Sequence, residues 1–256
     1  TSGLQEMDYL LTDHFLNPAD TTELFTEQLQ RLPVFYQYPH IEGAPKVAPP
    51  PSEKNGFTTF GSFNNPAKVN KEVVELWSEI LNTVSGSRLL LKYKNWYDQK
   101  SLYDSVIDRF ADYGIRQNQI KFAVKLDTMH EHLDYYSEVD IALDPFPFNG
   151  PTTTFQALWM GVPVVSLAGD TFISRGASSI LYHSGLEDLI AETPEAYVAC
   201  AQNLSKDAAR LKVLRSTLRE RMIGSPLCDA RAYALTINTA YRNMWQLWCA
   251  KARGSL

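Results

Sequence analysis

The sequence predicts an α/β fold with a Rossmann-like, doubly wound parallel sheet, and three observations support this prediction. From residue 56 onward, short apolar runs alternate with segments that have the period of an amphipathic helix. The three leucines within residues 88–93 fit a parallel strand that is buried on both faces. Turn-forming residues separate the two kinds of segment, which is typical of βαβ units with right-handed crossovers.

The composition indicates a globular protein with a packed core. Of the 256 residues, 45% are hydrophobic and 21% are charged, and the formal net charge is −5. Because there is no basic surplus, we expect no nucleic-acid partner. No apolar run reaches the roughly 18 residues of a membrane helix, so we expect no membrane partner.

The cysteines and the first residues predict the cellular setting. Cys200, Cys228 and Cys249 are odd in number and have no metal-ligand spacing, which predicts reduced thiols and a cytoplasmic location. The first ten residues lack the basic and apolar regions of a signal peptide, and the chain does not begin with methionine. We therefore expect a fragment or a processed product of a longer protein.

The first 55 residues differ in pattern from the rest of the chain. Residues 7–12 are a candidate strand and residues 22–32 a candidate amphipathic helix, and neither could bury its apolar face alone. Residues 1–35 are therefore expected to be the tail of a preceding unit. Residues 36–55 have little periodicity and are rich in proline, which fixes φ and removes hydrogen-bond donors, so they are expected to be a linker.

Residues 56–230 are predicted to form the Rossmann-like lobe. Its strands are predicted at residues 57–63, 88–93, 120–124, 139–143 and 162–167. Its helices are predicted at residues 71–84, 100–113, 128–136, 153–160 and 172–183, followed by mainly helical chain. Asn70 is a candidate N-cap for the first helix because its side chain can accept a hydrogen bond from the first turn.

The C-terminal segment, residues 231–256, is predicted to be a helix with a broad aromatic stripe. The stripe consists of Ile237, Tyr241, Met244, Trp245 and Trp248. Because aromatic side chains bury large areas, we expect this stripe to lie in a core or an interface.

Two candidate binding groups lie near predicted strand ends. Lys68, in the turn after the first strand of the lobe, could reach an anionic ligand, although an ordinary turn with an exposed lysine has the same pattern. His130 and His132 would point roughly 200° apart on a helix, so they would not share a metal ion. One of them could face the crevice beyond the strands and bind a phosphate or a base; the alternative is a capping or surface histidine.

The most informative segment is residues 144–154, where a strand ends, a loop rich in proline and glycine turns, and three threonines open a helix. Unpaired N–H groups at a helix N-terminus favour phosphate. Gly150 permits close approach of the backbone, and the threonines add hydroxyl donors. The alternative is that one threonine only caps the helix. The glycines match neither a Walker A nor a G-x-G-x-x-G pattern.

Other polar residues near strand ends are better explained by structure. Arg175 is expected to make contacts within the protein. Asp140 and Asp144 lie roughly 13 Å apart along one strand, which is too far for a pair of glycosidase carboxylates. Asp140 is expected to be structural, whereas Asp144, at the strand end, could be structural or functional. No metal-ligand cluster is evident in the sequence, so we expect no metal site.

Three motifs together resemble a known family. They are DIALDPFPFNG at residues 140–150, TTT at 152–154 and ALWMGVPVV at 157–165. This series is similar to the signature of the O-linked N-acetylglucosamine transferases and of the Spindly-type O-fucosyltransferases. The turn Phe63-Asn64-Asn65 with Lys68, and the C-terminal GSPL at 224–227, also resemble that family and agree in order.

The resemblance implies the C-terminal lobe of a GT-B glycosyltransferase, with residues 1–35 as the tail of the N-terminal catalytic lobe. It implies an inverting, metal-independent transfer of N-acetylglucosamine from UDP-GlcNAc to Ser or Thr of acceptor proteins, without a cofactor. Tetratricopeptide repeats are expected elsewhere in the full-length protein. Most of the N-terminal lobe is absent from the chain, so we expect the chain to be incomplete as an enzyme.

The resemblance also assigns roles to individual residues. Lys68 corresponds to the catalytic lysine that meets the donor diphosphate, and Asn65 lies where the animal enzymes have a glutamine near that phosphate. His132 corresponds to a histidine that packs by the uracil and ribose. Thr152 and Thr153 correspond to threonines that meet the diphosphate at the helix N-terminus.

Three positions depart from the family pattern. Gln156 stands where the family usually has an acidic residue for the ribose hydroxyls, and an amide accepts hydrogen bonds without charge assistance. Pro151 and Tyr135 replace a histidine and an arginine of the animal enzymes. The alternatives are therefore a GDP-fucose-dependent O-fucosyltransferase, a degenerate binding module that docks through its aromatic stripe, and, less in keeping with the threonine motif, a nucleotide-sugar epimerase.

Overall fold

A computed structural model describes residues 1–123 and 128–252 of the chain. The strands in this part are β1 (Tyr9–Asp13), β2 (Gln28–Leu32), β3 (Thr59–Ser62), β4 (Arg88–Leu91), β5 (Ile120–Phe122), β6 (Ile141–Leu143), β7 (Val164–Leu167) and β8 (Ile190–Ala191). The α-helices are α1 (Ser52–Asn55), α2 (Lys71–Thr83), α3 (Lys100–Ala111), α4 (Met129–Asp134), α5 (Pro151–Trp159), α6 (Gly176–His183), α7 (Pro194–Lys206), α8 (Ala208–Ile223) and α9 (Ala230–Ala252). No helix within these ranges is both long and apolar enough to cross a membrane.

The central sheet has six parallel strands in the order β5-β4-β3-β6-β7-β8. The chain moves outward from β3 to β5, returns to place β6 beside β3, and then continues outward on the other side. The strand order therefore reverses between β3 and β6, which is where open α/β sheets bind their ligands. This topology confirms the predicted doubly wound, Rossmann-like fold.

Helices cover the sheet and bury its apolar residues. Leu89, Leu90 and Leu91 of β4 are buried, as their run predicts. Trp77 of α2 is also fully buried, and its Nε1 donates a hydrogen bond to the hydroxyl of Tyr197 on α7 at 3.0 Å. This polar contact satisfies both groups inside the core and aligns the two helices above the sheet.

Most predicted elements are confirmed within a few residues of their bounds. Asn70 caps α2 by accepting a hydrogen bond from the N–H of Val73 at 2.8 Å. The helix predicted at 172–183 begins as a 3₁₀ turn, Phe172–Ser174, before α6. The end of the predicted strand at Val124, and residues 253–256 of the predicted C-terminal helix, lie outside the described residues.

The prediction of a helix at residues 22–32 is wrong, because this segment contains strand β2 instead. Tyr9 of β1 pairs with Gln28, and the two strands form a separate parallel sheet. Leu24, within the predicted helix, is exposed. Backbone pairing with β1 overrides the local helical pattern, since propensity is weaker than tertiary contacts in so short a segment.

The proline-rich segment 36–55 is held against the lobe along its length. The N–H of Tyr38 donates to the carbonyl of Leu227 at 2.8 Å, and the Tyr38 ring stacks on Phe155 of α5 at 4.1 Å. The carbonyl of Pro45 accepts a hydrogen bond from Arg219 of α8 at 2.8 Å. The segment thus runs in a defined path across α5 and α8. The division of the chain at residues 35, 55 and 230 stays a prediction.

The aromatic stripe of α9 lies on the outside of the molecule. Helix α9 packs against β2 and against the 3₁₀ turn Pro226–Cys228. Trp245 and Trp248 stack on each other at 5.1 Å between ring centroids and are 62% and 55% exposed. Because these two rings are exposed, the stripe is not part of the core of this chain. The other expectation, that the stripe forms an interface, stays a prediction.

Asp13 connects β1 to the rest of the chain. This buried carboxylate accepts hydrogen bonds from the N–H groups of Leu16 (2.7 Å) and Phe35 (3.2 Å) and from the hydroxyl of Ser179 on α6 (2.7 Å). Burial raises the pKa of Asp13, but the nearby imidazole of His183, at 3.8 Å, and the hydrogen bonds from these groups outweigh it and leave the pKa below its ordinary value. The ionised carboxylate is therefore part of the folded structure.

We expect Asp13→Ala to lower the free energy of unfolding by about 3 kcal/mol, because it leaves several buried donors without an acceptor. Urea denaturation at neutral pH measures this. Since the folded pKa is depressed, the contribution is complete above the ordinary value of 3.8 and is lost as the pH falls through the lower folded value. Asp20→Ala, at an exposed position, is the control, and an equal loss in both variants would contradict the prediction.

Candidate functional site

The candidate site lies at the carboxyl ends of β3 and β6, where the strand order reverses. After β3 the chain forms a 3₁₀ turn, Pro66–Lys68. After β6 it forms a loop, residues 144–150, that leads directly into α5. The turn, the loop and the N-terminus of α5 therefore meet at one edge of the sheet.

The loop at residues 144–150 is closed by Asp144. This carboxylate is buried and accepts hydrogen bonds from the N–H of Gly150 at 2.8 Å and from the hydroxyl of Ser166 at 2.9 Å. The hydroxyl of Tyr197 donates to the backbone carbonyl of Asp144 at 3.1 Å. Burial raises the pKa of Asp144 to about 7, while the hydrogen bonds from Gly150 and Ser166 and the charge of Lys68 oppose the rise.

Lys68 lies over this loop. Its Nζ donates to the carbonyl of Asn149 at 2.7 Å and is 4.1 Å from the centroid of the Phe148 ring. Burial lowers the pKa of Lys68, and the charge of Asp144 opposes the decrease. Asn65 caps the turn that carries Lys68, since its Oδ1 accepts from the N–H of Ala67 at 3.0 Å. The turn and the loop thus place an ammonium group beside the start of α5.

Two of the three threonines, Thr152 and Thr153, lie in the first turn of α5, next to this site. Thr153 Oγ1 lies 2.8 Å from the carbonyl of Gly150 and 3.0 Å from Oδ1 of Asn64. Thr152 is exposed, and its side chain lies near the hydroxyl of Tyr38. The backbone N–H groups of the first turn have no partner within the helix, and their partial positive charge faces the same edge as Lys68.

A second group of polar residues lies where the carboxyl end of β4, helix α4 and helix α5 meet. His132 of α4 has its Nδ1 2.6 Å from Nζ of Lys92 and its Nε2 3.0 Å from Oε1 of Gln156 on α5. We call these three residues the histidine relay. The imidazole packs beside Phe63 and Tyr136. Burial lowers the pKa of His132, the hydrogen bond with Gln156 opposes this, and the charge of Lys92 lowers the pKa further.

The structure therefore brings Asn65, Lys68, Thr152 and Thr153 together on one side, with His132 and Gln156 on the other. Their roles toward a ligand stay predictions. Lys92 is not among the predicted residues. It directly follows the buried leucines of β4, at the carboxyl end of a strand, and this position is the signal that could have identified it.

The remaining candidates take part in the fold. Asp140 accepts from the N–H groups of Ser52 (3.0 Å) and Thr59 (2.8 Å), which is the expected structural role. Arg175 donates to the carbonyls of Phe15 and Gly169, also as expected. His130 is exposed. Across residues 1–123 and 128–252, no group of three or more His, Cys, Asp or Glu side chains is placed to hold a metal ion.

Comparisons with known proteins agree with this geometry. A sequence profile of glycosyl transferase family 41 matches residues 54–237. The Arabidopsis thaliana protein named probable UDP-N-acetylglucosamine–peptide N-acetylglucosaminyltransferase SPINDLY is 39% identical over 254 residues, which cover 97% of this chain and 27% of that protein. The chain thus spans about a quarter of the length of this curated relative.

Solved structures show the same fold. A mutant of the Thermobaculum terrenum O-GlcNAc transferase matches with a TM-score of 0.87 and 32% identity, covering 98% of this chain and 47% of that chain. Sucrose-phosphate synthase from Thermosynechococcus elongatus matches with a TM-score of 0.56 and 16% identity, covering 93% of this chain and 59% of that chain. The six-stranded sheet is therefore that of a GT-B glycosyltransferase lobe.

We expect Gly150→Ala to lower the free energy of unfolding by about 1–3 kcal/mol, because the new methyl group overpacks the start of α5. A Cβ at Gly150 would lie 2.1 Å from Oδ1 of Asn64 and 2.2 Å from Oγ1 of Thr153. Thermal and urea denaturation measure the change. Gly224→Ala is the control, since its Cβ would meet no atom closer than 3.5 Å. If the two variants are equally stable, the start of α5 is not closely packed.

We expect the stability of the wild type to depend on pH through Asp144, and Asp144→Asn to remove this dependence. The folded pKa of about 7 exceeds the ordinary 3.8, so the folded state binds more protons between these values. Stability therefore falls as the pH rises through this window, by at most about 1.4 kcal/mol per pH unit. Urea denaturation across the window measures the slope. Exposed Asp170→Asn should keep the wild-type slope, and an unchanged slope in Asp144→Asn would refute the assignment.

Proposed function

The chain belongs to glycosyl transferase family 41, and we propose that it is the nucleotide-sugar-binding lobe of an inverting protein O-glycosyltransferase. The donor we propose is UDP-GlcNAc, and the acceptors are Ser and Thr hydroxyls of proteins. The proposal rests on one observation. The ammonium group of Lys68 lies beside the N-terminus of α5, at the point in the sheet where the strand order reverses. This arrangement suits a diphosphate.

On this proposal, the chain stabilises the leaving group of the reaction. The oxygen of the acceptor hydroxyl attacks the anomeric carbon of the sugar as the bond to the diphosphate oxygen breaks. The electron pair goes to the diphosphate, and the hydroxyl proton goes to solvent or to a base outside this chain. Lys68 has three ammonium donors, of which Asn149 uses one, so two remain for phosphate oxygens. The first-turn N–H groups and the hydroxyl of Thr152 add donors at the same place, whereas the single hydroxyl proton of Thr153 is donated within the protein, to Gly150 or Asn64.

The names of the similar proteins favour N-acetylglucosamine over fucose. Both the Arabidopsis relative and the solved Thermobaculum structure are named as N-acetylglucosamine transferases. Gln156, in place of an acidic residue, is the feature that keeps GDP-fucose and a non-catalytic binding module as alternatives to be tested. We further propose that the reaction needs no metal, that protein substrates bind mainly outside this chain, and that tetratricopeptide repeats belong to the full-length protein.

We also propose that the protein is located in the cytoplasm. The three cysteines are all unpaired, which supports a reducing compartment. The net charge of −5 gives no support to a nucleic-acid partner.

We expect Lys68→Ala to weaken binding of UDP by at least about tenfold, because a charge-assisted contact with phosphate is removed. Isothermal titration of the 256-residue chain with UDP, then GDP, with a chelator present, measures the affinity. Lys71→Ala, which removes the same charge from an exposed position three residues later, is the control.

The outcomes separate the alternatives. Binding of UDP that depends on Lys68 and not on Lys71 supports the proposal, and tighter binding of GDP would favour the fucose donor. UDP affinity unchanged by Lys68→Ala would remove Lys68 from the site. Failure of the chain and of a longer protein to bind either nucleotide would favour a degenerate binding module.

A further inference from the structure

Lys92 is a buried ammonium group whose polar partner is a histidine. Its side chain is only 4% exposed, and its Nζ lies 2.6 Å from Nδ1 of His132. Among the residues that the structure describes, no carboxylate lies within 4 Å of this ammonium. Burying a cation without a counter-ion costs stability, so its presence at the carboxyl end of β4 calls for an explanation beyond the fold.

The contact determines which nitrogen of His132 carries the proton. An ammonium group can only donate, so Nδ1 of His132 accepts. The proton of the neutral imidazole is then on Nε2, which donates to Oε1 of Gln156 at 3.0 Å. The positive charge of Lys92 also disfavours a second proton on the ring. Lys92 therefore holds His132 as the neutral Nε2–H tautomer.

The relay in turn determines what Gln156 offers to a ligand. Its side-chain oxygen already accepts a hydrogen bond from His132 and keeps one lone pair, whereas the amide NH₂ group supplies two donors. Within the described part of the chain, the contact of this NH₂ is Sδ of Met129 at 4.0 Å, a weak acceptor. Gln156 is 9% exposed and lies in the second turn of α5, the helix whose first turn opens the diphosphate site. A carboxylate at this position would offer acceptors only.

We propose that Lys92 is a positioning residue for the nucleoside of the donor. Acting through His132, it makes Gln156 a hydrogen-bond donor toward an acceptor atom on the ribose or the base. The inference rests on the proposed function, since the resemblance to the family assigns the ribose hydroxyls of the donor to position 156. On this proposal, position 156 offers the ligand a hydrogen-bond donor, whereas an acidic residue there would offer an acceptor.

The first test is a spectroscopic one on the chain without nucleotide. Nitrogen-15 NMR of the imidazole rings, assigned with a His132→Gln variant, is expected to show His132 protonated at Nε2. Lys92→Met keeps the length of the side chain and removes the charge, and replacing a buried charge by an apolar group is often tolerated. In this variant the titration midpoint of His132 is expected to rise, because the positive charge beside the ring is removed. An unchanged midpoint would overturn the inference.

The second test is nucleotide affinity, measured with UDP on the same proteins. Lys92→Met and Gln156→Leu are each expected to weaken binding by roughly tenfold, as supporting residues of a binding site do. The double variant should bind no more weakly than the weaker single variant, because both changes remove one donor. Lys121→Met, which removes an exposed charge from β5, should bind as the wild type does.

Two results would refute the role of Lys92 in positioning. One is a shifted His132 titration with unchanged UDP affinity in Lys92→Met. The other is full additivity of the Lys92 and Gln156 changes. Failure of the proposed function is recognised separately, because the wild-type protein would then bind neither UDP nor GDP.

Discussion

Asp144 is the residue on which the geometry of the candidate site depends. Its carboxylate lies beneath the loop that it closes, and it accepts hydrogen bonds from Gly150, six residues later, and from Ser166 on β7. The contact with Gly150 brings the start of α5 to the end of β6, beside the turn that carries Lys68. A buried carboxylate is costly when it is charged, and two donors and the nearby ammonium offset only part of this cost, so the pKa of Asp144 stays raised, at about 7. The loop is therefore shaped before any ligand arrives.

The site also holds two ammonium groups that form no direct ion pair with any described residue. In the described residues, neither Lys68 nor Lys92 has a carboxylate within 4 Å, and burial lowers the pKa of both. Such groups weaken the fold slightly and favour an anion, whose binding adds the missing counter-charge. In the proposed function the two lysines have different roles: Lys68 binds the diphosphate, and Lys92 acts on the nucleoside through the histidine relay.

The first 35 residues and α9 are joined to the lobe by different means. Asp13 links β1 to Phe35 and to α6 through hydrogen bonds, so the small parallel sheet has a fixed position beside the lobe. Helix α9 lies against β2 and leaves Trp245 and Trp248 exposed on its other side. The aromatic stripe therefore belongs to the surface of this chain, although its composition resembles that of a core.

The sequence by itself determined the fold class, the cap of α2 by Asn70 and the candidate phosphate loop at residues 144–154, because hydrophobic period, capping and turn chemistry are local properties. It also indicated the family through motifs that are contiguous in the chain. Only the tertiary structure decided that residues 28–32 form a strand, since pairing with β1 is a contact between distant residues. It alone placed Lys92 against His132, forty residues later, because strand order and helix packing, rather than spacing along the chain, set that distance.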